Sequence, residues 1–267
     1  MEANNNAGCY ASFSQMANQD TQRHLTQRDL EILLALDRCP LTVAQVLKLS
    51  QVFAPGQGFQ SLRSCHERLQ KMRQAGWIRS WPYATTGSGS SPEYYKTTLL
   101  GFRILYGDDA IPPTKRHFSH VSAANHHHTF CLAEFIVHTI VSAHRHDIRM
   151  AHFYRENTMR LDIDGEILLP DCAFEFHTPA GRQFNFVVEI DSGTERIRSD
   201  KDTDSWKRKI RLYDALQDQS YPNRFRVLIV STRSRDRVHS ILKFASEQAR
   251  NPGRSLFYGV QLGDYLK

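Results

Sequence analysis

The order of helix-like and strand-like patterns over residues 126–260 constrains the fold most. A helix is predicted from His126 to His144, and its stretch from Phe130 to Val137 is apolar on nearly every side, so this helix must be buried. The elements predicted after it are strands Met150–Leu161, Ile167–Phe176 and Gln183–Asp191, helix Asp204–Gln217, strand Phe225–Thr232, helix Arg235–Gln248 and a strand at Phe257–Val260. This order predicts an α/β sandwich with a mixed central sheet.

Residues 25–118 carry a second pattern, in which short helices precede a hairpin. Thr26 is a candidate N-cap, and apolar residues follow it at helical spacing until Pro40 forces a stop. The other predicted elements are a helix opening at Leu41-Thr42, a helix over Leu62–Met72 that Gly76 ends, a strand over Trp77–Trp81, a turn over Thr85–Ser91 and a strand over Tyr94–Leu99. Three short helices and a two-stranded wing predict a winged helix-turn-helix, whose third helix enters the major groove of DNA.

Two stretches of the sequence mark domain limits. Residues 1–24 are rich in Asn, Gln, Ser and Ala without periodic hydrophobicity, which predicts a flexible tail. Gly107-Asp108-Asp109 and Pro112-Pro113 interrupt the chain again, because adjacent prolines cannot continue a helix. We therefore predict a tail over 1–24, a winged-helix domain over 25–118 and an α/β domain over 119–267.

The composition limits the classes of function. With 267 residues, of which 40% are hydrophobic and 23% charged, the chain can form one large or two modest globular domains. The 34 Lys and Arg residues outnumber the 28 Asp and Glu residues, and the formal net charge of +6 favours a polyanionic partner. The apolar runs are shorter than the roughly 18 residues of a membrane helix, and the first residues are polar, unlike a signal peptide. These features predict a soluble cytoplasmic protein without a membrane partner.

Basic residues on the predicted third helix form the candidate DNA-binding face. A basic helical face alone is usually a solvated surface, but its position in a winged helix favours contact with DNA. The candidate contacts to double-stranded DNA are Arg63, His66, Arg68, Lys71 and Arg73 on this helix and Lys96 on the returning strand of the wing.

Carboxylates converge on the predicted strand Gln183–Asp191. Side chains alternate along a strand, so Glu189 and Asp191 point to one face while the apolar residues before them point to the other. Asp171 follows Pro170 at the start of the preceding strand. Converging carboxylates repel one another unless a cation joins them, so Asp171, Glu189 and Asp191 are predicted ligands of Mg²⁺ or Mn²⁺. The alternative is that each pairs in solvent with a nearby arginine: Arg182, Arg196 or Arg198.

A lysine on the helix from Asp204 is the candidate partner of these carboxylates. At about 100° per residue, Trp206 and Tyr213 belong to the stripe that faces the sheet; Lys209 lies inside this stripe and Lys207 outside it. A buried lysine is costly unless it is paired, so Lys209 is predicted to reach the carboxylates. The alternative is that its side chain extends to solvent.

His126-His127-His128 and five single cysteines raise the question of a zinc site. Three consecutive residues of a helix cannot all face one ion, and no Cys-x-x-Cys pair is present, so zinc is the less favoured alternative. The cysteines are predicted to be reduced thiols, and an alternative role for His128 is to line the site near Glu134. No Walker motif, Gly-x-Gly-x-x-Gly loop or Gly-x-Ser-x-Gly elbow occurs in the sequence, which argues against nucleotide and acyl-transfer chemistry.

The order Pro170-Asp171, a spacer of seventeen residues and Glu189-x-Asp191 resembles the metal-binding motif of PD-(D/E)XK nucleases. The resemblance implies a restriction-endonuclease-like domain over 119–267, with Glu134 where such enzymes often have an additional acidic residue. Asp191 departs from the motif, which has lysine at this position to orient the attacking water and stabilise charge at the phosphate. Lys209 is the candidate replacement.

Further segments resemble the replication-relaxation family of bacterial plasmids and mobile elements. The resemblance covers most of the chain after residue 24, and its most specific part is Glu189-Ile190-Asp191-x-Gly193-Thr194-Glu195. The other segments are Leu25-Thr26-x-Arg28-Asp29, Arg68-Leu69, Gly76-Trp77-Ile78, Leu99-x-Gly101, His128 six residues before Glu134, Glu156, Pro170-Asp171 and Lys209 four residues before Tyr213. The resemblance implies a role in plasmid replication or DNA relaxation, with replication, relaxase or other mobile-element proteins as partners.

Two hypotheses about function follow. In the first, the protein is an Mg²⁺- or Mn²⁺-dependent DNA endonuclease or nickase, in which Asp171 and Glu189 hold the metal and Lys209 assists. Supporting roles in this hypothesis fall to Glu134, Glu156 and Asp191. In the second, the protein is a non-catalytic DNA-binding factor for replication, mobilisation or transcription control, with an inactive nuclease-like scaffold. The oligomeric state, a homodimer included, stays open in both.

Overall fold

A computed structural model describes residues 25–84, 91–199, 205–220, 223–251 and 253–267. The predicted tail over 1–24 and most of the predicted turn over Thr85–Ser91 lie outside these ranges. The described residues form a mixed α+β fold. We call residues 25–118 the N-terminal unit and residues 119–267 the C-terminal unit.

The N-terminal unit combines short helices with a small antiparallel sheet. Its elements are α1 (Gln27–Arg38), β1 (Leu41–Thr42), α2 (Val43–Leu49), α3 (Leu62–Gln74), β2 (Ile78–Pro82), β3 (Glu93–Thr97), α4 (Leu99–Tyr106) and α5 (Lys115–Phe118). The three strands are arranged in the order β1-β3-β2. Thr26 caps α1 as predicted, since its hydroxyl accepts from the Asp29 amide and its own amide donates to the Asp29 carboxylate at 2.8 Å.

The predicted strand over Tyr94–Leu99 is shorter in the structure, because a helix begins where it was expected to end. The Thr98 hydroxyl accepts a hydrogen bond from the Gly101 amide at 3.1 Å and caps α4. Gly101 allows this helix to lie against the chain before β2, since a Cβ atom here would lie 2.3 Å from the Trp77 carbonyl oxygen. The capping threonine and the close-packed glycine therefore end the strand.

The C-terminal unit is built on a five-stranded mixed sheet. Its elements are α6 (His126–Arg145), β4 (Arg149–Tyr154), β5 (Leu161–Ile163), β6 (Glu166–Leu168), β7 (Cys172–His177), β8 (Gln183–Asp191), α7 (Trp206–Gln219), β9 (Phe225–Ser231), α8 (Arg235–Gln248), β10 (Phe257–Gln261) and α9 (Leu262–Tyr265). The strand order is β10-β9-β8-β7-β4, in which β8, β9 and β10 are parallel and β7 is antiparallel to both of its neighbours. The predicted alternation of helices and strands is confirmed.

Two predicted strands, Met150–Leu161 and Ile167–Phe176, are divided in the structure, the second between β6 and β7. β4 ends at Tyr154, and a separate hairpin of β5 and β6 follows. Asp164 and Gly165 connect the hairpin with φ angles of 53° and 82°. Asp-Gly is a preferred pair for a two-residue hairpin turn with positive φ, so this hairpin has a recognisable local cause.

The sheet separates two apolar layers. Alternate residues of β7, β8 and β9 face α6, namely Cys172, Phe174, Val188, Ile190 and Val230. The residues between them face α7 and α8, namely Ala173, Val187, Val227 and Ile229. Glu189 and Asp191 fall on this second face, as the strand alternation predicted.

The two units share one apolar core. Buried residues of α1, α2 and α3 belong to the same cluster as those of α6 and the α6-facing side of the sheet. Helix α2 packs against α6, and the Gln45 amide donates to the Glu134 carboxylate across this contact at 2.7 Å. The cysteines at 39, 65, 131 and 172 are buried free thiols, in agreement with the prediction for them. Among the described helices, none is long and apolar enough to cross a membrane.

Candidate metal centre and nucleic-acid interface

Asp171 and Glu189 meet at the carboxyl end of the central strand β8. The Asp171 amide donates to the Val188 carbonyl at 3.1 Å, and the Ile190 amide donates to Asp171 Oδ2 at 2.6 Å. These bonds fix the Asp171 carboxylate beside the strand that carries Glu189. Open α/β sheets bind ligands at the carboxyl ends of their parallel strands, and both residues lie at such an end.

Lys209 occupies the position predicted for it, beside the carboxylates. It lies in the first turn of α7, which Ser205 caps, and its Nζ donates to Glu189 Oε2 at 2.8 Å and to Glu195 Oε1 at 2.7 Å. Its side chain is only 15% exposed. One helical turn later, the Tyr213 hydroxyl donates to the other oxygen of Glu189. Both oxygens of Glu189 are therefore bonded by α7, whereas a catalytic role for Lys209 stays a prediction.

Burial and the charges of neighbouring groups shift the pKa values of the residues in this cluster. Burial, with the nearby charge of Asp171, raises the pKa of Glu189 to about 7 against the opposing effect of Lys209. Burial also raises the pKa of Glu195. Burial alone would lower the pKa of Lys209, but the surrounding carboxylates outweigh it and hold this pKa above its usual value. Burial thus favours the neutral forms of Glu189 and Glu195, whereas the carboxylates favour the charged form of Lys209.

A second group of side chains, His128, Glu156 and Asp171, lies close enough together to share a metal ion. One potential ligand atom from each residue lies within 4.8 Å of those of the other two. Among the described residues, this is the one group of His, Cys, Asp or Glu side chains that could hold a metal ion. His128, in the first turn of α6, has its Nε2 atom 3.1 Å from Asp171 Oδ1. Glu156 lies in the turn that follows β4.

The donor set of this group suits a divalent cation. Two carboxylates and one imidazole are ligands that Mn²⁺ accepts, and Mg²⁺ binds through carboxylates with water in its other positions. Burial disfavours the charged form of His128, but its bond to Asp171 and the charge of Glu156 raise its pKa. The nearby carboxylates thus favour the protonated form of His128, and a bound cation would instead offset their negative charge itself. The residues fit the metal that the nuclease resemblance implies.

Asp191 does not join this group, which corrects its predicted role as a metal ligand. Arg237 of α8 donates to both of its oxygens at 2.6 and 2.7 Å, and Trp206 Nε1 and Ser231 Oγ complete its bonds at 3.2 and 2.9 Å. These donors lower the pKa of Asp191 although burial opposes them. Two residues advance a strand by about 6.6 Å, which brings Asp191 to α8 while Glu189 faces α7.

Glu134 also lies outside the cluster, which corrects its assignment as an additional acidic residue of the site. Its carboxylate bonds Gln45 of the N-terminal unit. Six residues separate it from His128, and six residues of an α-helix turn by about 240° beyond one full turn. The two side chains therefore point from different faces of α6, and His128 lines the site without Glu134.

Three residues contact the candidate site in ways that the sequence did not predict, namely Glu195, Tyr213 and His128. Glu195, which the sequence placed only in the segment after Glu189, bonds Lys209, while Arg198 bonds Glu247 at 3.0 Å. Oε2 of Glu195 is buried without a hydrogen-bond partner among the described residues. Tyr213 had a usable signal, since its spacing of four from Lys209 puts both on one helical face. His128 had only its helix position.

The three consecutive histidines diverge, as the helix geometry predicted. His126 accepts from the Ala84 amide at 2.6 Å through Nδ1, and its Nε2 lies 3.1 Å from the Val121 carbonyl oxygen. His127 is exposed beside Cys131, and His128 alone approaches the carboxylates. The run therefore does not form one zinc site.

Four of the predicted DNA contacts lie on the outer face of α3. Arg63, His66, Lys71 and Arg73 are exposed, and the side chain of Arg63 reaches 89% exposure. Arg63 pairs with Glu67 at 2.8 Å, and Arg73 Nη1 donates to Ser80 Oγ at 3.0 Å. Exposed cations on one helical face are available to phosphates, because surface ion pairs of this kind are weak.

Arg68 and Lys96 do not belong to that face, which corrects their predicted role. Arg68 lies about 140° around the helix from Arg63 and bonds the fully buried carboxylate of Asp29 in α1. Lys96 is buried on the middle strand of its sheet, and its Nζ donates to the carbonyls of Arg116 and Ser119 at 3.2 and 2.7 Å. Burial lowers the pKa of Lys96 to about 8.

Comparisons with known proteins bear on the family. No curated protein matches the chain. A solved PadR family transcription regulator from hypervirulent Clostridium difficile R20291 matches with 20% identity and a TM-score of 0.27, over 30% of this chain and 81% of the other. The model of the replication-relaxation family matches residues 37–229. Because this match spans well over half of the chain, the protein belongs to the replication-relaxation family.

Proposed function

We propose that this protein is a replication factor of a plasmid or mobile element that binds duplex DNA through its N-terminal unit and nicks or cleaves DNA with its C-terminal unit. The membership of the replication-relaxation family supports the role in replication. The two activities rest on different residues and are argued separately.

DNA binding is supported by the architecture of the N-terminal unit and its charge. The order of α1, β1, α2, α3 and the β2–β3 hairpin is that of a winged helix, with α3 as the recognition helix. The exposed residues Arg63, His66, Lys71 and Arg73 lie on α3, and the two arginines and the lysine carry positive charge. Phosphate neutralisation by such residues provides most of the affinity of non-specific DNA binding.

Cleavage is supported by one observation above all: three potential metal ligands lie beside a buried lysine. His128, Glu156 and Asp171 would hold the metal, with Glu189 next to them and Lys209 within hydrogen-bond distance of Glu189. A bound Mg²⁺ or Mn²⁺ supplies Lewis-acid polarisation of a phosphate and a lowered pKa for bound water. Lys209 would stabilise negative charge at the scissile phosphate, the role for which nucleases of this type use the lysine of their motif.

The element order of the C-terminal unit agrees with a PD-(D/E)XK nuclease core. Helix α6 precedes the antiparallel strands β4, β7 and β8, and α7 then leads to the parallel strand β9. The departure is the lysine, which comes from α7 and not from the residue two after Glu189. A functional lysine on a neighbouring helix can reach the same point in space, as the 2.8 Å bond to Glu189 supports.

A non-catalytic DNA-binding factor is the second candidate, and one observation favours it. Both oxygens of Glu189 are engaged by Lys209 and Tyr213, so this carboxylate is neutralised without a metal. In this candidate the cluster stabilises the fold, and the α3 face alone carries the function.

A plasmid-nicking assay with an isosteric variant separates the two candidates. We expect the wild type to nick supercoiled plasmid in millimolar Mn²⁺ and the Asp171→Asn variant to lose this activity while it binds duplex DNA normally. Asn can still accept the bond from the Ile190 amide, so the fold should persist. Asp236→Asn, at an exposed position of α8, is the matched control. Tight duplex binding by a wild type that neither binds Mn²⁺ in calorimetry nor nicks would favour the second candidate.

A further inference from the structure

A buried carboxylate at the end of α1 gathers donors from three separate segments. Asp37, whose side chain is 8% exposed, accepts from Tyr106 Oη at 2.9 Å, and from Arg155 Nη1 at 2.6 Å. His117 Nε2 lies 3.1 Å from its other oxygen. A buried carboxylate needs such partners, because desolvation of an unpaired charge is costly. Two of the partners belong to the N-terminal unit, but Arg155 belongs to the C-terminal unit.

Arg155 immediately precedes Glu156, one of the three candidate metal ligands. Its carbonyl accepts from the Thr158 amide at 3.1 Å and from the Thr158 hydroxyl at 2.6 Å, which closes the turn around Glu156. Asn157, within this turn, has a positive φ of 60°. The bond from the Arg155 side chain to Asp37 therefore fixes the start of a tight turn in which the next residue, Glu156, faces the candidate metal centre.

We propose that Asp37 and Arg155 are positioning residues for the metal site, which they tie to the N-terminal unit through Glu156. Because α1 belongs to the unit that carries the DNA-binding face, the metal centre is complete only when the two units are docked as they are here. Outer contacts that orient a metal ligand commonly change metal affinity by about 10- to 100-fold when removed. This inference rests on the metal site of the proposed function.

The molecule offers a matched control for the Asp37–Arg155 pair. Arg254 pairs with Asp214 and has a side-chain exposure of 21% against 4% for its partner, while Arg155 and Asp37 show 20% and 8%. Asp214 and Arg254 lie in segments that contribute none of the three candidate ligands. Removal of either arginine should cost similar stability, but removal of Arg155 alone should weaken metal binding.

The test measures Mn²⁺ affinity, by the loss of the free aqueous Mn²⁺ signal in electron paramagnetic resonance, together with the melting temperature of the metal-free proteins. We expect Arg155→Gln to weaken Mn²⁺ binding at least about tenfold, and Arg254→Gln to leave it within twofold at a similar loss of melting temperature. Arg155→Lys should recover part of the affinity. Asp37→Asn, which keeps its shape and can still accept from Tyr106, should repeat the loss if Arg155→Gln folds poorly.

Several outcomes would overturn the inference. Mn²⁺ affinities of Arg155→Gln and Asp37→Asn equal to that of the wild type would remove the positioning role and leave the metal site standing. An equal loss of affinity in Arg254→Gln would show a general effect of stability. A wild type that binds no Mn²⁺ would overturn the metal site itself, and the inference with it.

Discussion

Lys209 is the residue whose role most sharply distinguishes a nuclease from an inactive scaffold. Its ammonium bonds two carboxylates and is 15% exposed, whereas Lys207 is on another side of the same helix. We expect Lys209→Met to reduce Mn²⁺-dependent plasmid nicking by about 10² or more, the usual effect of removing a charge-stabilising donor. Lys207→Met should nick like the wild type and weaken DNA binding modestly at most. Circular dichroism of both variants confirms that they are folded; equal nicking by the two would exclude the role of Lys209.

Lys96 predicts a specific pH dependence of stability. Burial lowers the pKa of Lys96 to about 8 in the folded protein, below its value of 10.5 in the unfolded chain. Between these values the unfolded state binds more protons, so the contribution of Lys96 to stability rises as the pH increases from 8 to 10.5. The neutral amine still has two N–H donors for the carbonyls of Arg116 and Ser119. Glu156 opposes this shift and Arg116 adds to it.

The measurement for Lys96 is a comparison of denaturant unfolding of the wild type and Lys96→Met across this pH range. The unfolding free energy of the wild type minus that of Lys96→Met should increase with rising pH, by up to about 3 kcal/mol. Subtraction of the variant removes the titration of tyrosines and cysteines that both proteins share. A difference independent of pH would mean that the ammonium stays charged in the folded state.

Local periodicity explains which site residues could be predicted. The proximity of Asp171, Glu189 and Lys209 could be predicted, because each position follows from one strand or one helix face. His128 and Glu156 join Asp171 only through tertiary packing, from segments that are distant in sequence and without periodicity of their own. Arg68 was assigned to the DNA-binding face because the sequence does not distinguish a solvent-exposed arginine from one that pairs with a buried carboxylate. Its partner Asp29, on another helix, decides between the two.

Among the elements, α3 carries the prediction for DNA binding. If Arg63, Lys71 and Arg73 contact phosphates, the triple Ala variant should have a weaker salt dependence, since each contact contributes about 0.9 to the slope of log affinity against log salt. Exposed residues Arg182, Arg224 and Lys243 of the C-terminal unit give a control triple of equal charge. Titration of a fluorescent duplex at several salt concentrations measures the slopes. A slope changed only by the control triple would move the interface off α3.

The predicted elements agree with the structure where period and boundary signals coincide. β8 and α8 have the predicted bounds. Apolar residues recur at every second position of β8 from Phe184 to Ile190, and Ser234 caps the start of α8. α4 was missed because Tyr94–Leu99 has strand composition to its end, and only the Thr98 cap starts a helix. The β5–β6 hairpin was missed although its Asp164-Gly165 turn is a local signal, because the apolar pattern around it is short.

At the scale of the whole molecule, the packing of the two units explains why α6 is apolar on nearly every side. A helix apolar on nearly every side needs two partners, and α6 lies between the sheet and α2 of the N-terminal unit. Sequence patterns predicted the burial but could not identify the second partner, because linker signals at 107–113 suggested separate domains. The shared cluster means that the N-terminal unit and the sheet that carries the candidate metal centre are packed on one core.

The shared core predicts that both units unfold together. Trp77 and Trp81 lie in the N-terminal unit and Trp206 lies in the C-terminal unit. The tryptophan fluorescence of the Trp206→Phe variant, excited selectively over tyrosine, therefore reports the N-terminal unit alone. We expect its fluorescence transition in denaturant to coincide with the transition seen by circular dichroism, which follows the helices of both units.

Ile136→Ala, made in the Trp206→Phe background, truncates a buried residue of α6. It should lower the free energy of unfolding by about 2–5 kcal/mol and shift both transitions equally. A fluorescence transition that stays in place while circular dichroism shifts would show that the N-terminal unit folds on its own, and the docking of the two units would then be a contact between independent domains.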